Sequence, residues 1–127
     1  MQIAIILDDF ASEGHVMRHP LLSWAFTKCR HWMITFVVSV QKLRLASTVL
    51  RTQATLVIYF TNVRSQVDLE AFLEENSALV PGGKKTMHAI FEAVKATGPF
   101  SFLAIDMMAK DRNKTFIANM SHYVQVE

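Results

Sequence analysis

Ile3-Ala4-Ile5-Ile6-Leu7-Asp8-Asp9-Phe10 is the stretch on which the reading of this chain turns. Five apolar residues end abruptly in two adjacent carboxylates, as expected of a buried strand that delivers acids at its carboxyl end. A polar stretch, residues 11–19, follows. Pro20 then suits the first turn of a helix in which Leu21, Leu22, Trp24, Ala25, Phe26 and Cys29 recur at helical spacing. Residues 33–40 read as a second buried strand, 43–53 as a short helix and 55–61 as a third strand. Beyond them the composition predicts helices over 68–79 and 85–95, separated by Pro81-Gly82-Gly83. After Gly98-Pro99 come a strand over 100–106, a polar turn over 110–114 and a last strand over 115–119. This rhythm predicts an α/β domain with a mostly parallel sheet and right-handed helical crossovers over its faces. Ligands of such sheets bind beyond the carboxyl ends of the strands, where Asp8-Asp9 and Ser39-Val40-Gln41 emerge.

The bulk properties fit that frame. The chain has 127 residues, the size of one domain, and 51% of them are hydrophobic, which argues against disorder. Its apolar runs are far too short to span a bilayer. The opening residues have no basic start and meet acids at positions 8 and 9, unlike a signal peptide. Cys29 is the single cysteine, so no intramolecular disulfide forms, consistent with an intracellular, reducing compartment. The net charge is +2, unevenly spread. Residues 1–64 carry seven Lys/Arg against three Asp/Glu, and residues 65–127 carry six against eight. The arginines of the first half, Arg18, Arg30, Arg44, Arg51 and Arg64, are dispersed, which suits single placements around a charged ligand or a solvated surface better than a basic tail.

Two elements carry chemistry. The first strand with its two acids has the form of a Walker B element: one carboxylate serves the Mg²⁺ shell, the other orients or deprotonates an attacking water. A strand end with solvated acids has the same pattern. The second element, Thr35-Phe36-Val37-Val38-Ser39-Val40-Gln41, ends a buried strand in an amide able to reach a γ-phosphate or a water held by Asp9.

In order and spacing, the chain resembles the C-terminal half of the FtsK/HerA superfamily of P-loop ATPases, and within it the poxvirus-type DNA-packaging ATPases of nucleocytoplasmic large DNA viruses. The likeness rests on Ile5-Ile6-Leu7-Asp8-Asp9, Cys29-Arg30-His31 leading into residues 34–38, Ser39-Val40-Gln41, Val49-Leu50-Arg51, and Pro99-Phe100-Ser101-Phe102-Leu103-Ala104-Ile105-Asp106. The resemblance implies the C-terminal part of an ASCE-type, three-layer P-loop domain occupying residues 1–127. It implies ATP and Mg²⁺ as cofactors, with Asp8 holding the metal through water, Asp9 acting on the attacking water and Gln41 sensing the γ-phosphate. Arg30 would be an arginine finger presented to a neighbouring subunit, with Arg51 as the alternative. The implied partners are double-stranded DNA, the neighbouring subunits of a homo-oligomeric ring, and capsid or portal components at a viral assembly site in host cytoplasm or virion. Lys42 and Arg44, just beyond the Gln41 strand, are candidates to contact DNA or to face a neighbouring subunit.

The family's G-x-x-x-x-G-K-[ST] loop has no counterpart in these 127 residues. Gly82-Gly83-Lys84-Lys85 lacks both its spacing and its Ser/Thr, and reads as a loop. The chain is therefore expected to start at the Walker B strand, and to be an ATPase only where the Walker A half is supplied. The rival reading is a non-catalytic α/β interaction domain or an inactive ATPase relic. His15, His19, His31, His88 and His122 form no close ligand set with Cys29. Ser23, Ser39 and Ser101 lack a nucleophile-elbow context. Trp24 and Trp32 read as packing residues rather than a base-stacking platform.

Overall fold

The structure is a computed structural model and describes residues 2–9 and 14–126. Phe10 and the start of the polar 11–19 stretch lie outside the described residues. The chain forms two compact units, Met1–Ala54 and Thr55–Glu127.

In the first unit, strands β1 (Ile3–Leu7) and β2 (Ile34–Val38) pair in parallel, from Ile3 opposite Ile34 to Leu7 opposite Val38. A parallel pair needs a crossover, and helices α1 (Gly14–Met17) and α2 (Pro20–Lys28) provide it. Pro20 opens α2 with its φ already helical, while His19 Nδ1 accepts a hydrogen bond from the Leu21 N–H. A 3₁₀ turn, Cys29–Trp32, follows. Met33, at φ 54° in the left-handed region, then redirects the chain into β2. The Ile5/Leu7/Phe36/Val38 face of the pair is half-buried, and the Phe36 ring lies 5.7 Å from that of Phe26 in α2. On the opposite face Ile6 is 68% exposed and Val37 50%, so these strands are covered on one side rather than the two their apolar runs predict. Helix α3 (Thr48–Gln53), capped by Ser47 Oγ accepting from the Leu50 N–H, packs on α2.

The second unit departs from the predicted parallel sheet. Strands β3 (Leu56–Phe60), β4 (Phe102–Asp106), β5 (Phe116–Ala118) and β6 (His122–Tyr123) form an antiparallel sheet in that order. The cause is the connection. Helices α4 (Gln66–Asn76) and α5 (Gly83–Lys95) pack on each other across a short linker, with Lys84 ion-paired to Glu70 and Glu74. Two helices return the chain to the end of β3 it left, so β4 must run the other way, whereas one crossover helix would have given a parallel neighbour. Between β4 and β5 only a polar turn intervenes, which again dictates antiparallel pairing. The fold is thus α/β, but with one parallel pair and one antiparallel sheet instead of a single mostly parallel sheet in three clear layers.

Val57, Tyr59, Leu103, Ile105, Phe116 and Ala118 share one face of this sheet, and the core residues Phe72, Leu73, Met87, Phe91 and Val94 come from α4 and α5. Tyr59 stacks on Phe72 with ring centroids 3.8 Å apart and 7° between planes. Its hydroxyl is buried and has no hydrogen-bond partner among the described residues. Burial, and secondarily the Asp68 charge, push its pKa up to about 12 from 10.0.

The phenol stays neutral in the folded state while the unfolded chain would ionise it near pH 10. Stability from this group is therefore complete below pH 10 and falls as pH rises from 10 toward 12. Tyr59→Phe should abolish that alkaline loss in pH-dependent chemical denaturation. At neutral pH it should cost less than ~1 kcal/mol, because no hydrogen bond is broken. Leu103→Ala, at a fully buried β4 position, should cost about 2–5 kcal/mol.

Candidate functional site

The carboxyl ends of β1 and β2 lie side by side because Leu7 is in register with Val38. The Ser39 N–H donates to the Leu7 carbonyl at 2.9 Å, extending the ladder one step beyond the strands. Asp9 follows at φ 55°, a left-handed conformation that aspartate tolerates better than most residues. Across from it, Gln41 Nε2 donates to Asp9 Oδ1 at 2.8 Å. Two residues 32 apart in sequence are thus joined at the mouth of the parallel pair. Asp8, Asp9 and Gln41 are all exposed, so a water or a ligand oxygen can reach them.

Arg30 sits in the 3₁₀ turn that precedes β2, at the opposite end of the strands. Five strand residues at about 3.3 Å each put roughly 16 Å of β2 between that turn and the Asp9 end. Arg30 therefore does not serve the Asp9 of its own chain. Arg51 lies in the last turn of α3, half-buried, with its guanidinium Nη2 3.4 Å from Thr48 Oγ1. Lys42 and Arg44 are exposed just beyond Gln41.

The donor set fits Mg²⁺ only in part. Among the described residues no group of three or more His, Cys, Asp or Glu side chains could hold a metal ion by itself. Magnesium commonly takes one or two carboxylates and completes its octahedron with waters and substrate phosphates, and Asp8 with Asp9 could supply that protein share. Below the carboxylates lies an apolar cleft of about 300 Å³, between Ile5, Leu7 and Phe36 of the sheet and Val16, Leu22 and Ala25 of α1 and α2.

Gly82-Gly83 proves to be the start of α5. Gly82 (φ 84°) and Gly83 (φ 61°) both take left-handed conformations, and a Cβ on Gly82 would run into Thr86 Oγ1. Lys84 is drawn to Glu70, which raises the lysine's pKa and lowers the glutamate's. Cys29 Sγ donates to the Phe26 carbonyl within its own turn. Trp24 and Trp32 meet edge to face at 4.8 Å, each about half exposed. The Asp9–Gln41 bond itself was not read from the sequence. Its signal was there in the near-equal overhang of two strands that a crossover makes parallel.

Comparison with protein-family models, curated proteins and solved structures found no match to this chain. Among the described residues no helix is long and apolar enough to cross a membrane.

If Gln41 ties the two strand ends together, Gln41→Leu should leave the far-UV spectrum unchanged and speed amide exchange at Ser39. The expected change is about two- to tenfold, the equivalent of one net hydrogen bond. Unchanged exchange would show that the ladder alone orders this end.

Proposed function

We propose that this chain is the C-terminal part of an ATP-driven translocase of double-stranded DNA, of the kind that packages a viral genome. The observation that supports the reading best is the Gln41–Asp9 hydrogen bond at the carboxyl ends of adjacent parallel strands. A hydrolytic P-loop site uses that arrangement. One carboxylate belongs in the metal shell, the next takes a proton from water, and an amide on the neighbouring strand reports the γ-phosphate.

In this reading Asp8 holds Mg²⁺ through water. The metal's chemistry, when bound, is to neutralise charge on the β- and γ-phosphates. Asp9 orients the attacking water and accepts its proton, and Gln41 keeps the Asp9 carboxylate aimed while offering its amide to the γ-phosphate. The phosphate cradle comes from a P-loop segment outside these 127 residues. Arg30, about a strand's length from its own Asp9, reaches the site of the next subunit in a ring, a role for which Arg51 is the alternative. DNA would be gripped by its phosphates, since a motor must tolerate every sequence, with Lys42 and Arg44 as candidate contacts. Such a motor would act with capsid or portal components at a viral assembly site.

The exposed apolar residues Ile6 and Val37 favour a second reading, a non-catalytic α/β interaction domain whose acids are solvated strand ends.

Reconstitution decides between them. The chain, combined with a P-loop-bearing segment encoded beside it, should hydrolyse ATP. Asp9→Asn should then lower kcat about 10²–10⁴-fold while ATP binding persists. Arg30→Ala should lower it about 10³–10⁵-fold, and mixing it with Asp9→Asn subunits should restore part of the rate. ATP binding without turnover in the unmutated assembly would defeat the catalytic reading and leave the interaction domain.

A further inference from the structure

The turn that joins β4 to β5 is ordered by its own backbone. The Asp106 N–H donates to the Thr115 carbonyl at 2.8 Å and the Met107 N–H to the Thr55 carbonyl at 3.0 Å. Within the turn, the Lys114 and Thr115 N–H groups donate to the Asp111 and Arg112 carbonyls and close a 3₁₀ turn over Arg112–Lys114. Both acids of the stretch are hydrogen-bonded to that backbone. Asp106 Oδ1 accepts from the Met108 N–H at 2.8 Å, and Asp111 Oδ1 from the Asn113 N–H at 3.0 Å. The cations behave differently. Lys110, Arg112 and Lys114, three within five residues, are all exposed, and none makes an ion pair among the described residues. Elsewhere in this unit Lys84 is held by Glu70 and Glu74, and Lys95 by Glu92.

We propose that the β4–β5 turn is a contact for the phosphate backbone of double-stranded DNA, made by Lys110, Arg112 and Lys114 with the exposed Asn113 amide as an uncharged donor. The choice of duplex DNA rests on the translocase reading, and the contact is additional to Lys42 and Arg44 in the first unit. Lysine, arginine and asparagine side chains are ordinary phosphate donors, and such contacts carry no sequence information. Three cations fall short of the four to eight typical of a polybasic lipid site. A protein partner would need an aromatic or aliphatic anchor, and residues 109–114 carry no apolar side chain larger than alanine. Three cations less two acids leave residues 106–114 at +1, so attraction acts at short range, within a Debye length of about 8 Å at physiological salt. The binding is therefore of the weak, non-specific class, with Kd in the range of about 10⁻⁴–10⁻⁶ M.

Fluorescence anisotropy of the full chain with a labelled duplex of mixed sequence, without ATP, reads this directly. Log affinity should fall linearly with log salt, each phosphate contact adding about 0.9 to the slope. Replacing Lys110, Arg112 and Lys114 together by alanine should flatten the slope by about 2–3 and weaken binding at low salt at least roughly tenfold. Lys110→Gln, outside the 3₁₀ turn, should flatten it by about 1 and serves where the triple variant fails to fold, as judged by circular dichroism. Lys110→Arg with Lys114→Arg should keep the slope, and so should Lys95→Gln in the last turn of α5. A chain that binds no duplex would overturn the proposal, as would a slope that the turn variants leave unchanged or that Lys95→Gln flattens equally. Turn-dependent binding only to vesicles of phosphatidylserine and phosphatidylcholine would overturn it in favour of a membrane contact. ATP turnover is not read here. Turn-dependent DNA binding without turnover in the reconstituted assembly would defeat the ATPase reading alone, and turnover with a turn-independent slope would defeat this inference alone.

Discussion

The parallel register of β1 with β2 is the constraint on which the candidate site depends. Side chains alternate along a strand, so a one-residue slip of β2 against β1 would turn Phe36 and Val38 to the face opposite Leu7 and carry Gln41 away from Asp9. Half-burial of Ile5, Leu7, Phe36 and Val38 on a single face holds the register, and the Ser39–Leu7 hydrogen bond carries it past the strand ends. The Gln41–Asp9 bond is then a consequence of packing further down the strands. A polar constellation at a strand mouth is thereby positioned by apolar residues that never meet a ligand.

A different constraint governs the second unit. The length and number of its connections decide strand direction before any side chain chooses a neighbour. With α4 and α5 folded against each other, β4 has to descend where β3 ascended, and the Tyr59–Phe72 stack binds the sheet to that helical layer. The apolar runs in β3 and β4 look alike in sequence, yet β4 is buried at Leu103, Ala104 and Ile105 while β3 stays at the sheet's edge.

That distinction explains what could be read from the sequence. The β1 strand was legible to the residue, because its apolar run is bounded by acids. The start of α2 was marked by Pro20, whereas α3 begins at Thr48 rather than 43 and α4 at Gln66 rather than 68, because Ser47 and Ser65 cap them there. Strand direction in the second unit was not legible, because periodicity reports which residues are apolar and says nothing of which neighbour they pair with. β6, two residues long with both exposed, offers too little pattern to find. At the candidate site, Asp8, Asp9 and Gln41 were all identifiable as polar groups past strand ends, whereas their bond required the register.

The carboxylate pair also limits what these 127 residues could do alone. Asp8 and Asp9 are adjacent, exposed and negative, and a nucleotide triphosphate brings several more negative charges to the same place. At about 4 Å, two unit charges in water repel by about 1 kcal/mol, and by several times that in a partly dehydrated site. Only a metal ion and a ring of backbone N–H groups and cations can reverse that sign. The exposed cations Lys42 and Arg44 follow Gln41 closely, and no glycine-rich loop accompanies them. If the site hydrolyses ATP, the carboxylates and the phosphate cradle must therefore come from different segments. Turnover would then require that the two segments be brought together.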